Sequence, residues 1–65
     1  MRKEYVKEGI YVMAYLVPEG KPTRSALIVT CGYNQSEAER KLQVAIDEAP
    51  PRYQRLIAAE VIDNQ

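Results

Sequence analysis

The strongest constraint on this chain is a mismatch between its apolar strand-like runs and the helix available to cover them. Ile10–Val17, Ala26–Cys31 and Leu56–Ile62 each carry apolar residues at both odd and even positions. As strands they present apolar side chains on both faces of a sheet. One helix, about 10 Å across, covers one face of three strands spaced about 4.8 Å apart and leaves the other bare. The bare face then has to meet a second copy of the chain or another protein.

The helix is predicted after Gly32 and Asn34. Ala38, Leu42, Ala45, Ile46 and Ala49 recur at i, i+4, i+7, i+8 and i+11, one apolar stripe of an amphipathic helix. Ser36 with Glu39 has the spacing of a capping box, Glu37 and Lys41 form an outward i,i+4 pair, and Pro50-Pro51 ends the helix.

Ile10–Val17 is rich in β-branched and aromatic residues and stops at Pro18. Glu19-Gly20-Lys21-Pro22 is turn chemistry leading into the second strand. Arg2–Glu8 reads as a charged lead-in or an early extension of the first strand, with Gly9 a bulge or the strand start. Arg52–Ile62 reads as the third strand and Asp63-Asn64-Gln65 as a polar tail. The expected fold is α+β, one domain over residues 1–65 with element order β-β-α-β. The sheet is mainly antiparallel, in order 2-1-3, with the most apolar strand in the centre and one helix on one face.

Alternation divides the first strand into Ile10, Val12, Ala14 and Leu16, compact enough to lie under the alanine-rich helix, and Tyr11, Met13, Tyr15 and Val17. Tyrosine suits a surface apolar on one side and wet on the other, so Tyr11, Met13 and Tyr15 are assigned to the helix-free face. For the second strand the reading sends Leu27, Val29 and Cys31 inward and Ala26, Ile28 and Thr30 outward. For the third it sends Ile57, Ala59 and Val61 inward and Leu56, Ala58, Glu60 and Ile62 outward. The expected contact residues are therefore Tyr11, Met13, Tyr15 and Ile28, with Leu56 and Ile62 at the side. Such a face spans roughly 300 Å², a size that often marks an interaction site.

Composition narrows the chemistry. Sixty-five residues bury little core, and chains this short often add disulfides, metals or a second subunit. Cys31 is the only cysteine and there is no histidine, which removes an internal disulfide, argues against a metal site or cofactor, and leaves a thiol nucleophile without its usual base. The helix acids Glu37, Glu39, Asp47 and Glu48 read as a solvated face, and Gly9, Gly20 and Gly32 form no phosphate loop. Nine basic and nine acidic side chains cancel, so no broad field steers the chain to nucleic acid or anionic lipid. Glu4 and Glu8 break up the basic start of a would-be signal peptide, no apolar run reaches a membrane span, and an unpaired cysteine fits a reducing compartment. The expectation is a cytoplasmic, non-enzymatic protein.

An alternative rests on Arg52-Tyr53-Gln54-Arg55. If the third run is a strand, Arg52 and Arg55 join Tyr11 and Tyr15 in a sheet platform on which nucleic-acid bases stack.

The stretch Gln35-Ser36-Glu37-Ala38, opening a helix after a strand, looks like the corresponding junction of HicB-type antitoxins, though the Pro-Asp-Leu-Pro-Gly-like turn of that family is missing. The β-β-α-β layout also resembles short phage proteins that bind and inhibit host enzymes such as RNA polymerase. These resemblances imply a small regulator or inhibitor of phage or prophage type that works by binding. The apolar pattern of the strands adds the expectation of a homodimer or a complex with a protein partner, formed through the helix-free face or an edge strand.

Overall fold

In a computed structural model, which describes the backbone of residues 1–63 and the side chains of residues 1–59, the chain is α+β, with three antiparallel strands and two helices. The strands are β1 (Arg2–Glu8), β2 (Tyr11–Val17) and β3 (Ile28–Gly32). They form a meander in order β1-β2-β3, with a 3-10 turn at Thr23–Ser25 before β3. Helices α1 (Gln35–Asp47) and α2 (Pro51–Asp63) follow. The apolar run 10–17 does hold the central strand, but its second neighbour is the N-terminal segment and not the C-terminal one.

β1 is hidden in the sequence by its charges. Lys3, Tyr5 and Lys7 alternate with Arg2, Glu4, Val6 and Glu8, and β1 pairs with β2 from Arg2↔Val17 to Glu8↔Tyr11. Two residues, Gly9 and Ile10, connect the strands. Gly9 has φ 63° and Ile10 has no positive φ, the pattern of a type II′ turn, whose twist matches that of the flanking strands. Ile10 therefore leaves the strand and stands in solvent.

The expected third strand is a helix. Pro51 is tolerated at the first helical position, where its missing N–H has no partner to lose. The pair that ends α1 thus also starts α2. The Pro50 carbonyl accepts from the N–H groups of Tyr53 and Gln54, and the following Gln, Arg, Leu and Ala residues favour helix. Among the described side chains of α2, Tyr53 and Ile57, one turn apart, are the half-buried ones, and the Gln54 side-chain amide donates to the Ile46 carbonyl at 2.6 Å.

The core lies between the sheet and the helices. Ala14, Leu16, Ala38 and Leu42 are its buried centre, with Tyr5, Val12, Ile28, Ile46 and Ile57 packed around them. α1 packs on β2 and β3, and the Thr30 hydroxyl donates to the Ala38 carbonyl at 3.1 Å. Ile28 and Thr30 thus point to the helix, and Val29 and Cys31 away from it. This is the reverse of the sequence assignment, because both faces of 26–31 are almost equally apolar and the pattern alone sets no register. The α1 cap also sits two residues earlier than expected. Asn34 Oδ1 accepts from the Glu37 N–H at 2.8 Å, and Glu37 reaches back to the Tyr33 N–H. The Glu37–Lys41 pair is present at 3.4 Å.

One end of the sheet is covered on its other side by the loop of residues 18–26. The Arg2 guanidinium donates to the carbonyls of Pro18 and Lys21 and to Glu4, and the Thr23 hydroxyl donates to Glu4. Val17, fully buried yet outside the helix-side core, lies at this end. The Thr23 hydroxyl, and then Arg2, favour the Glu4 carboxylate and hold its pKa below the ordinary 4.5. A carboxylate depressed in the folded state contributes stability above its unfolded pKa and loses it as pH falls through the folded value. Stability should therefore fall more steeply below about pH 4.5 in the wild type than in Glu4→Gln. Urea midpoints measured from pH 7 to pH 3 check this; parallel curves would contradict it.

Candidate contact face of the sheet

The strand register places the helix-free side chains in rows. Glu8, Tyr11 and Tyr33 form the first row, since Val12 pairs with Gly32 and each strand continues one residue beyond that pair. Val6, Met13 and Cys31 form the second, and Glu4, Tyr15 and Val29 the third. The fourth, at Arg2 and Val17, carries the loop just described. Between Glu8 at one end and the Arg2–Glu4–Thr23 cluster at the other, the face is apolar and aromatic.

This patch is open. Val6 is 41% exposed, Tyr11 42%, Val29 49% and Tyr33 66%, while Met13 and Tyr15 are half-buried between them. The Tyr11 and Tyr33 rings lie 5.3 Å apart between centroids, inclined by 30°, within the range of favourable aromatic pairs. Each ring restricts the other, so the pair presents a broad surface at low entropic cost. Among the described residues no α-helix lies on this side of the sheet.

Of the residues singled out from sequence, the structure groups Tyr11, Met13 and Tyr15. Ile28 lies on the opposite side, against the core. Leu56 is exposed on α2, away from the sheet face, and the side chain of Ile62 lies outside the described residues. Val6, Val29, Cys31 and Tyr33 complete the patch. Tyr33 was legible from its position directly after Gly32, because alternation carries through the strand end.

The alternative constellation is not gathered. Arg52 and Arg55 sit on α2, with the Arg52 guanidinium 5.0 Å from the centroid of its neighbour Tyr53, while Tyr11 and Tyr15 are on the helix-free face. On the strands themselves the ionised groups bordering that face are Glu4, Glu8 and Arg2, and Arg2 is occupied by Glu4 and two carbonyls.

Among the described residues no three metal-binding side chains converge, and no helix is long and apolar enough to cross a membrane. The Cys31 thiol is free and exposed. The grooves beside α1, one lined by Asn34, Ser36, Glu37 and Arg40 and one by Lys3, Ser36, Glu39, Arg40 and Gln43, are open and lined by polar and charged residues. Compared with protein-family models, curated proteins and solved structures, the chain matches none of them.

Proposed function

We propose that this chain is a non-enzymatic protein-interaction module that docks another protein on the helix-free face of its sheet. The observation that carries the reading is the open patch of Val6, Tyr11, Met13, Tyr15, Val29 and Tyr33. Aromatic residues and methionine are enriched at the centres of protein interfaces, and charged residues are depleted there. A patch of roughly 300 Å² that stays open often marks an interaction site. It supports a transient complex, or a larger one in which the partner also engages the rim.

The same face favours protein over nucleic acid. Phosphate contacts supply most nucleic-acid affinity, and the carboxylates of Glu4 and Glu8 border this face while Arg2 is already bonded to Glu4 and two carbonyls.

The test pairs the wild type with Tyr11→Ser/Tyr15→Ser, immobilised and exposed to extract of the cells that make the protein. A partner retained by the wild type should be lost from the double variant at unchanged helix content by circular dichroism. It should also rebind the wild type once purified. Retention of every bound protein by the double variant would sink the reading.

A further inference from the structure

The two edges of the sheet differ in a way that bears on self-association. Of the seven residues of β1, five are charged (Arg2, Lys3, Glu4, Lys7 and Glu8), whereas β3 reads Ile-Val-Thr-Cys-Gly with no charge. Charged edge strands resist pairing with another chain, and an uncharged one is left able to pair.

The register identifies which backbone groups of β3 are free. Glu8 and Tyr11 flank a two-residue turn and so form a hydrogen-bonded pair. Every second pair along β1 and β2 does the same, which turns the N–H and C=O of Val12, Ala14 and Leu16 toward β3. Their partners are Gly32, Thr30 and Ile28, and Leu27 also donates to the Leu16 carbonyl at 2.9 Å. Val29 and Cys31 therefore direct both backbone groups away from the sheet. Both residues are exposed.

Above this edge lies one flank of α1. Gln43 bonds Lys3 of β1 at 3.4 Å, and Glu39 raises the pKa of Tyr5 of β1, second to burial. The row of Glu39 and Gln43 thus faces β1. The row of Glu37, Lys41 and Val44, on the other side of the apolar stripe, faces the β3 edge. Val44 is among the exposed large apolar residues.

We propose that the occupant of the β3 edge is a second copy of this chain, paired antiparallel about a two-fold axis at Thr30. In that register Val29 of each copy exchanges both hydrogen bonds with Cys31 of the other, so all four free groups of each copy are used. An uncharged strand meets no like charge when paired with itself, as a charged one does. Because α1 rests over β2 and β3, joining the β3 strands at about 4.8 Å places the two α1 helices about 10 Å apart, a normal helix-packing distance. The Thr30–Ala38 bond puts the axis near Ala38, where Glu37 of each copy comes within reach of Lys41 of the other. Strand edge and helix flank together form a wall of roughly 300 Å². That is below the roughly 800 Å² per partner of stable dimers, so the pair should form in the micromolar range or above.

This inference rests on the interaction-module reading but uses a different surface, leaving the tyrosine face open on both copies of a six-stranded sheet. Light scattering from about 10 μM to about 1 mM tests it. The mass of the wild type should rise from 7.4 kDa toward twice that value. Chemically made chains N-methylated at Val29 or, separately, at Cys31 lose an outward donor and no bond to β2. They should keep the wild-type circular dichroism and stay at the single-chain mass. Tyr11→Ser/Tyr15→Ser should dimerise as the wild type does. A wild type that stays single throughout, or dimers that survive both N-methylations, would overturn the edge pairing. If the N-methylated chains dimerise and the tyrosine variant does not, the second copy sits on the face, so the edge falls while the face stands as a contact surface.

Discussion

Leu42→Ala should leave a large fraction of the chain unfolded at 25 °C. Among the described residues Leu42 and Val17 are the largest fully buried side chains, and Leu42 sits in the cluster of Ala14, Leu16 and Ala38 that joins α1 to the sheet. Two members of that cluster are alanines, which cannot move in to fill the space. Leucine-to-alanine changes at such sites cost about 2–5 kcal/mol. A chain of this length is held by about 3–10 kcal/mol, so the loss is comparable to the total. Urea denaturation followed by circular dichroism measures it, with Arg40→Ala, exposed on the same helix, as a control expected to move by less than about 0.5 kcal/mol. A loss below about 1 kcal/mol for Leu42→Ala would mean that α1 does not depend on this contact.

Gly32→Ala should be nearly as damaging, for a different reason. Gly32 is buried at the end of β3, and its φ is not in the left-handed region. The constraint is space. An added Cβ would stand 2.7 Å from the Ala38 backbone nitrogen and 2.9 Å from Cβ and Cγ of Glu37. The first of these belongs to the backbone of α1, so the helix must move away from the strand or the strand must bend. Overpacking of this kind costs about 1–3 kcal/mol. In a chain of this size each kcal/mol lowers the melting midpoint by about 4–8 °C. Thermal melting of the single variant checks this, and an unchanged midpoint would show that α1 does not lie this close to β3.

Both predictions depend on how α1 meets the sheet, and that part of the fold was the most legible. The spacing of Ala38, Leu42 and Ile46 marks a helix with a narrow apolar stripe, and the density of β-branched and aromatic residues in 10–17 marks the central strand. Sequence reasoning failed where two physical signals overlapped. Pro50-Pro51 both stops one helix and starts another, and reading only the stop turned α2 into a strand. β1 escaped notice because five charges protect an edge, and the same charges imitate a solvated tail. The β3 register was undetermined by pattern. It follows from the Thr30 hydroxyl finding the Ala38 carbonyl and from Leu27 sharing the Leu16 carbonyl, neither of which periodicity contains.

The helix-free face was partly legible for a related reason. Tyr11, Met13 and Tyr15 lie on one strand, where alternation suffices. Val6, Val29 and Tyr33 join them only through the register of the neighbouring strands, which alternation within one strand does not provide. Ile28, Leu56 and Ile62 had been placed on that face through a shifted register and a strand that is a helix. The corrected surface is more aromatic and more continuous than the expected one, because Tyr33 extends Tyr11 across two strands. The loop of residues 18–26 closes the end at Val17 and leaves the other three rows open.

The five tyrosines offer the most direct measurement of whether this face is the contact surface. Tyr11, Tyr15 and Tyr33 are on it, Tyr5 packs against the core side, and Tyr53 is on α2. Iodination resolved by mass spectrometry, with the chain in buffer and then in extract of its own cells, reports on all five at once. Protection of Tyr11 and Tyr33 in the extract, with Tyr53 labelled as before, is the predicted result. Protection of Tyr53 alone, with Tyr11 and Tyr33 still fully labelled, would place the contact on α2 and contradict the account.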